Sequence, residues 1–347
     1  MTLPDGAAGA AIPARRRSAA SHEPAVLARG DDPPEPPGGA RVIVDCDPGV
    51  DDAWAIAFGC GHPGLDLAGL TTVAGNVGLD KTTANALAVL EFLGHSEVPV
   101  AAGSPAPLLR PFKDARDVHG DSGLGAARLP AARGDAVAAH AVDFLIGEIS
   151  AAPGAVTLVA TGPLTNIALT VRRYPALVQQ VADFVIMGGS AGRGNTTPAA
   201  EFNIWCDPEA AAIVFGAGWR VTMVGLDVTH QALTSAAVDD RIRALGRLGT
   251  ELLLPGLAGY RGSDRAGQPV HDVCALALIA APALFGFEPA RVEVETQGRW
   301  TAGMTVTDFG APASAHNALV AMSVEVTGFW DLVLGAWQRA GAAMTRN

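Results

Sequence analysis

Four aspartates lie close together in the segment DCDPGVDD, and their spacing is the first sign of chemistry in this 347-residue chain. Asp45 and Asp47 follow an apolar run, and Asp51 and Asp52 follow a Pro-Gly pair. Like charges this close repel one another unless a positive charge lies among them. A hard divalent cation, Ca²⁺ or Mg²⁺, would supply that charge through oxygen ligands. One aspartate could then act as a general base toward a water molecule.

Further polar side chains occur in the loops that follow other predicted strands. In an open parallel sheet, ligands bind outside the carboxyl ends of the strands, so these side chains are expected to converge on one crevice. The set is rich in carboxylates and amides and almost free of basic groups, which suits a ligand dense in hydroxyl groups, such as a sugar. Its members are Asn76, Thr161, Asn195, Glu201 and Asn203, with His271 and Asp272 at the start of a later helix.

The elements that must position these residues alternate along the chain from Arg41 onward. Short apolar segments such as RVIVD predict strands, and Ala-rich segments such as DDAWAIAFGC predict helices. This alternation of strands and helices predicts an α/β fold with an open, mostly parallel sheet and helices on both faces. We also predict a helix over 136–150 and a strand over 220–229. Since there is no internal repeat and no second linker, residues 40–347 are expected to form a single domain.

The amino-acid composition limits which binding partners and which cellular compartment are expected. A net charge of -11 repels nucleic acid and anionic lipid, so neither partner is expected. The four cysteines are scattered without a C-x-x-C pair, which favours reduced thiols and a cytoplasmic enzyme. No apolar run is long enough to cross a bilayer. Residues 1–39 are rich in Pro, Gly, Ala and Arg and cannot bury a core, so we predict a disordered extension there.

Taken together, the motifs resemble the nucleoside hydrolase family of the inosine–uridine-preferring type. The resemblance covers the chain from about residue 41 to its C-terminus. It implies a Rossmann-like sheet, a tightly bound Ca²⁺, and hydrolysis of ribonucleosides to free base and ribose in purine and pyrimidine salvage. It also implies a homodimer or homotetramer. The similar segments are DCDPGVDDAWA, TTVAGN, HGDSGLG, ATGPLTNIA, VIMGG, GNTTPAAEFN, DPEAA, VGLDVTHQAL and VHDVCAL.

The resemblance also implies catalytic and metal-binding roles for individual residues. The positions that match the family's calcium ligands are Asp47, Asp52, Asp272 and the backbone carbonyl of Thr161. Asp47 also matches the base that activates the attacking water. His271 matches the histidine that protonates a departing purine.

A second group of residues is implied to bind the substrate. Asp51, Asn76 and Asn203 match residues that hold the 2′- and 3′-hydroxyl groups of ribose. His119 matches a histidine near the base. Asn195 and Glu201 match residues near the 5′-hydroxyl, and Met187 matches a residue that lines the sugar pocket.

The aspartate cluster also admits other interpretations. A Mg²⁺-dependent phosphohydrolase of the haloacid dehalogenase class also has D-x-D after a strand, but here Pro48 and Gly49 follow directly and no lysine is among the crevice residues. A non-enzymatic Ca²⁺-binding module of the EF-hand type would need Glu where this chain has Ile56. The aspartates could also simply cap a helix. Asp45 keeps two interpretations: support for the metal site, or a strand-end carboxylate bonded to backbone.

Overall fold

Nine strands of one sheet form the centre of the computed structural model, which describes residues 39–260 and 267–344. Apart from Gly39, the extension predicted to be disordered lies outside the described residues. The strands are β1 Ala40–Cys46, β2 Leu65–Thr72, β3 Val100–Ala102, β4 Val156–Ala160, β5 Asp183–Met187, β6 Val221–Val224, β7 Phe285–Val294, β8 Thr305–Asp308 and β9 Ala318–Val324.

The spatial order of the strands is β3-β2-β1-β4-β5-β6-β9-β7-β8. All neighbours are parallel except at one edge, where β7 runs antiparallel to both β9 and β8. The predicted open, mostly parallel, Rossmann-like α/β sheet is therefore confirmed. The order reverses between β1 and β4, and a crevice opens at such a point because the two flanking connections lead away on opposite sides.

The helices connect these strands, and none of the described helices is long and apolar enough to span a membrane. Short 3₁₀ segments occur at Pro175–Gln179, Pro282–Leu284 and Ala313–Ala315, and a π-helical segment occurs at Leu248–Leu253. The α-helices are α1 Val50–Gly61, α2 Leu79–Leu93, α3 Arg116–His119, α4 Ala141–Ala151, α5 Thr165–Arg173, α6 Phe202–Cys206, α7 Pro208–Phe215, α8 Leu226–Thr229, α9 Ala236–Arg243, α10 Leu254–Tyr260, α11 His271–Ala280 and α12 Val326–Met344.

Two apolar cores cover the two faces of the sheet. Successive side chains of a strand point to opposite faces, and β1 shows this alternation. Val42 and Val44 pack into the core that contains residues of α1, α2, α11 and α12. Ile43 packs into the other core, with residues of α4, α5 and α7. The continuous apolar run in β1 is therefore explained by burial on both faces.

Two element boundaries predicted from the sequence were wrong for identifiable reasons. The strand predicted over 220–229 ends at Val224, because the chain turns at Gly225 and α8 begins. A Cβ atom at Gly225 would lie 2.8 Å from the carbonyl oxygen of Gly189, so the turn needs glycine. The helix predicted over 136–150 begins only at Ala141. Its first residues are instead held at the sheet edge, where the Val137 N–H donates to the Val100 carbonyl.

Helix α1 carries Asp51 and Asp52 and is fixed by α12. The indole N–H of Trp337 donates to the Trp54 carbonyl at 3.1 Å. The guanidinium of Arg339 donates to the Gly61 carbonyl at 2.9 Å. The two helices approach so closely that a Cβ atom at Gly61 would lie 2.1 Å from the carbonyl oxygen of Ala336.

Gly61→Ala is therefore expected to destabilise the protein by about 1–3 kcal/mol, because the added methyl group meets backbone that cannot move aside. The matched control is Gly335→Ala in the interior of α12, where the nearest atom to the new Cβ is the flexible end of Arg339 at 3.7 Å. We expect the control to be neutral or stabilising, by up to about 1 kcal/mol. Urea unfolding of both variants measures the difference, and equal stabilities would contradict the close approach.

Candidate active site

A cavity of about 210 Å³ opens at the carboxyl ends of β1, β4 and β5. Of the twelve site residues predicted from the sequence, ten line it, and two, Asp47 and Asp52, are buried beside it. The sheet thus brings together residues that are more than 200 positions apart, from Asp51 to Asp272. The ten lining residues are Asp51, Asn76, His119, Thr161, Met187, Asn195, Glu201, Asn203, His271 and Asp272.

Asp47 is the first residue after β1 and is completely buried. Its Oδ2 atom accepts a short 2.6 Å bond from the backbone N–H of Asn76. Its Oδ1 atom has no hydrogen-bond partner among the described residues. Burial, followed by the repulsion of Asp52, raises the pKa of Asp47 well above its usual range. A buried carboxylate oxygen without a partner is costly unless a cation or a ligand proton reaches it.

Three further carboxylates form a cluster beside Asp47. One oxygen atom from each of Asp51, Asp52 and Asp272 lies within 4.8 Å of the others, and all three residues are buried. Asp52 is anchored by the Gly49 N–H at 2.9 Å and by the Thr161 hydroxyl at 2.9 Å. Asp51 resembles Asp47 in having a buried Oδ1 atom without a partner in the described chain. Such a set of oxygen donors could hold a hard divalent cation.

The protonation of this cluster reflects its burial. Burial and then the charge of Asp52 raise the pKa of Asp51 to about 7. For Asp272, burial and the charges of Asp51 and Asp52 raise the pKa well above the usual carboxyl value. The pKa of Asp52 is also raised by burial, although hydrogen bonds to its carboxylate oppose the shift. A bound cation would favour the ionised forms, so cation binding to this cluster releases protons.

Glycine residues make room for the carboxylates. A Cβ atom at Gly49 would lie 2.6 Å from the Nδ2 atom of Asn76 and 2.6 Å from the Nδ1 atom of His119. At Gly75 the added atom would lie 2.0 Å from the Oδ2 atom of Asp47. The glycine of the DCDPGVDD motif therefore serves close packing as well as the turn.

The side-chain amides of two asparagines donate hydrogen bonds to buried protein acceptors. The Nδ2 atom of Asn76 donates to the Asp47 carbonyl and to the Oδ2 atom of Asp52, each at 3.2 Å. The Nδ2 atom of Asn203 donates to the Thr161 carbonyl at 2.7 Å and to the Met187 carbonyl at 3.1 Å. In both residues the amide hydrogens are directed at protein acceptors, so the group left for a ligand is the acceptor Oδ1.

Backbone N–H groups hold the side chains of Glu201 and Asn195, which also line the cavity. Glu201 caps α6, since its carboxylate accepts from the N–H groups of Asn203 and Ile204. It also accepts from the Gly189 N–H at 2.9 Å. Burial raises the pKa of Glu201, and these backbone bonds oppose the shift. The Oδ1 atom of Asn195 accepts from the Phe202 N–H at 3.0 Å.

His119 is a neutral histidine with a fixed tautomer. Its Nδ1 atom accepts a 3.1 Å hydrogen bond from the backbone N–H of Val50, the first residue of α1. Burial lowers the pKa of His119 to about 4, so the ring is uncharged at neutral pH. Because Nδ1 is an acceptor, the ring proton must be on Nε2. His119 therefore caps the helix that carries the aspartates and also lines the cavity.

Asp45 supports the strand ends rather than the cavity surface. Its carboxylate accepts from the Thr71 hydroxyl at 2.5 Å and from the Asn166 amide at 2.8 Å. These partners are side chains, so the interpretation of a carboxylate bonded to backbone is not what the structure shows. Burial raises the pKa of Asp45 to about 7. The contacts tie β1 to β2 and to α5, which begins four residues after Thr161.

Four cavity residues were missed by the sequence reasoning, because most of them carry no chemical signal. Ala115 and Val118 form an apolar wall beside His119. Their position follows from α3, a helix of only four residues that the sequence pattern did not predict. Thr196 and Phe202 could have been found by position, since each adjoins a residue that was predicted.

A family model described as inosine-uridine preferring nucleoside hydrolase matches residues 42–331 of the chain. The chain belongs to this nucleoside hydrolase family. It is therefore a ribonucleoside hydrolase, an enzyme of the N-glycosyl hydrolase class. The membership leaves the phosphohydrolase and EF-hand alternatives without support.

Among its relatives, the nucleoside hydrolase described here is 48% identical to the non-specific ribonucleoside hydrolase RihC of Klebsiella pneumoniae over 290 residues, which cover 83% of this chain and 95% of that one. Solved structures agree with the fold. A plant nucleoside hydrolase, PpNRh1, has 32% identity and a TM-score of 0.80, with coverage of 86% of this chain and 99% of that chain. A purine-preferring ribonucleoside hydrolase from Gardnerella vaginalis has 31% identity, a TM-score of 0.82, and coverage of 88% and 100%.

The space beside Asp47 yields a prediction. Gly75→Ala would put a methyl carbon 2.0 Å from the Oδ2 atom of Asp47 and 2.8 Å from the Cδ atom of Pro163, so the Asp47 carboxylate beside the cavity would be pushed aside. A misplacement of about 1 Å near an active site can lower the rate about 100-fold. Ribonucleoside hydrolysis by this variant should therefore fall by at least about tenfold while the protein stays folded. Gly59→Ala on α1 is the control, since its new Cβ would meet only ordinary contacts of 3.7 Å and beyond. Wild-type rates in Gly75→Ala would show that Asp47 tolerates displacement.

Proposed function

We propose that this ribonucleoside hydrolase is Ca²⁺-dependent, with Asp47, Asp52, Asp272 and the Thr161 carbonyl as ligands. The observation that carries the proposal is the buried carboxylate cluster, including two oxygen atoms without partners among the described residues. Ca²⁺ accepts six to eight oxygen ligands in flexible geometry, which suits a site of carboxylates and carbonyls. When bound, the cation would offset the repulsion between the acids and acidify a water molecule that it holds.

The side chains supply the remaining parts of the reaction. Asp47 accepts the proton of the attacking water, since its carboxylate is buried beside the cavity and one oxygen is not engaged by the described residues. Cleavage of a glycosidic bond passes through an oxocarbenium-like state with positive charge on the sugar. Asp51 and the amide oxygens of Asn76 and Asn203 stabilise that charge. His271, at the cavity wall, donates a proton to the departing base.

The donor and acceptor pattern favours ribose as the bound sugar. Asn76, Asn203 and Asp51 all present acceptors, because the amide hydrogens of the asparagines are used inside the protein. Such a wall binds hydroxyl groups that donate their hydrogens. We propose that Asn195 and Glu201, which line the cavity, bind the 5′-hydroxyl and that Met187 contacts the sugar. The apolar wall of Ala115 and Val118 near His119 suits the flat face of a base.

Both purine and pyrimidine ribonucleosides are proposed substrates, in line with the name of the relatives with 48% identity. We further propose that the enzyme acts in nucleoside salvage in the cytoplasm, as a homodimer or homotetramer. Light scattering coupled to size-exclusion chromatography tests the oligomer, and a monomer at micromolar concentration would contradict it.

The central test combines a variant with cation removal. Asp47→Asn keeps the shape of the side chain but removes the base, so the release of free ribose from inosine and uridine should fall at least about 1000-fold. A chelator such as EGTA should abolish activity in the wild type, and added Ca²⁺ should restore it. Asp66→Asn on the exposed surface of β2 is the matched control and should behave as wild type. Substantial turnover by Asp47→Asn, with circular dichroism unchanged, would refute the mechanism.

A second prediction follows from the cavity wall formed by Asp51, Asn76 and Asn203, which presents hydrogen-bond acceptors to the ligand. A 2′-fluoro group cannot donate a hydrogen bond, so 2′-fluoro-2′-deoxyuridine should bind about 10- to 100-fold more weakly than uridine, much like 2′-deoxyuridine. Inhibition constants measure this without the change in intrinsic reactivity that fluorine causes. The control is 5-fluorouridine, which carries fluorine on the base and should bind as uridine does. Tight binding of the 2′-fluoro compound would mean that the wall offers donors.

A further inference from the structure

Thr229 contacts the proposed acid His271 directly. Its Oγ1 atom lies 2.8 Å from the Nδ1 atom of the His271 ring. Thr229 is completely buried, and His271 is buried except for the side that lines the cavity. The two residues are 42 positions apart, at the end of α8 and at the start of α11. The nucleoside hydrolase mechanism proposed above does not use Thr229.

The backbone on both sides of this pair is fixed independently of the hydroxyl group. Residues 232–234 pair with residues 268–270 in a short antiparallel ladder. The Val270 N–H donates to the Ala232 carbonyl at 3.2 Å, and the Thr234 N–H donates to the Gln268 carbonyl at 2.8 Å. The ladder therefore places the start of α11 beside the end of α8. What it leaves undetermined is the rotation of the His271 ring.

That rotation decides which ring nitrogen serves the substrate. The two nitrogens lie on different edges of the imidazole, so an Nδ1 atom bonded to Thr229 leaves Nε2 as the nitrogen for the cavity. A hydroxyl group can accept from Nδ1–H while Nε2 either carries or has released its proton. The contact thus stays intact through a proton transfer from Nε2, and the ring does not need to turn.

We propose that Thr229 is a positioning residue that holds the His271 ring with Nε2 toward the departing base. The proposal rests on the acid role proposed for His271. Thr229 does not touch the substrate and acts only through the histidine. Its loss should therefore lower kcat for substrates whose leaving group needs a proton, and should leave KM and activated substrates nearly unchanged.

The test compares Thr229→Val with Thr229→Ser on two substrates. Valine keeps the volume and the branched shape but cannot hydrogen bond, so kcat for inosine should fall about 10- to 100-fold. Hydrolysis of 4-nitrophenyl riboside should remain near wild type, because nitrophenolate leaves without protonation. Serine restores the hydroxyl and should recover most of the inosine activity. Thr82→Val is the control, since the hydroxyl of this buried threonine donates to the Leu79 carbonyl in its own helix, and the variant should behave as wild type.

A double-mutant cycle separates positioning from general structural damage. In the His271→Ala background, Thr229→Val should cause no further loss on inosine, because the group through which Thr229 acts is gone. A further loss of the same size as in the wild-type background would overturn the proposal. So would an equal loss of both substrates in Thr229→Val, or no loss of either.

The same measurements distinguish the positioning role of Thr229 from the acid role of His271 on which it rests. If His271→Ala slows both substrates equally, His271 is not the acid, and the positioning role falls with it. If His271→Ala slows only inosine while Thr229→Val does not, the acid role stands and the positioning role alone is overturned. If the wild type releases ribose from no nucleoside, the proposed function itself fails.

Discussion

The repulsion between buried carboxylates is the constraint on which the rest of this structure depends. Asp47, Asp51, Asp52 and Asp272 are all buried, and burial raises the pKa of each of them; repulsion between the carboxylates adds to the rise for Asp47, Asp51 and Asp272. Folding tolerates the cluster because other groups surround it with donors. The helix starts of α1 and α11 present the positive ends of their dipoles to Asp51, Asp52 and Asp272. A bound cation would complete the compensation.

The sheet determines where the charges of the buried carboxylates can be offset by other groups. At the reversal of strand order between β1 and β4, the flanking connections diverge and leave room for side chains from several elements. Asp47 and Thr161 are the first residues after these two strands, so their positions follow from the sheet itself. The donors that satisfy them come from loops, such as the Asn76 amide. The strand ends thus position Asp47 and Thr161, whereas the loops supply the hydrogen-bond donors around them.

The sequence was most informative where chemistry and strand ends coincide. The rule that ligands bind at the carboxyl ends of parallel strands predicted a common crevice for Asp51, Asn76 and Asn203, and all three line one cavity. Local sequence patterns failed to predict helix and strand boundaries where tertiary contacts decide the local structure. Val137 is held at the sheet edge by a backbone bond to Val100, and no local pattern shows this. Likewise, the partners of Asp45 depend on Asn166, which is 121 residues away.

The contact between α1 and α12 has a consequence for biosynthesis. Trp337 bonds to the Trp54 carbonyl across 283 residues, so the helix that carries two of the acids gains this contact only after Trp337 has left the ribosome. Asp272 also arrives late. Through most of translation, the nascent chain therefore holds the early aspartates without their late partners. The acidic cluster can assemble only once Asp272 has been made, and a cation that binds there would favour chains that contain this residue over shorter ones.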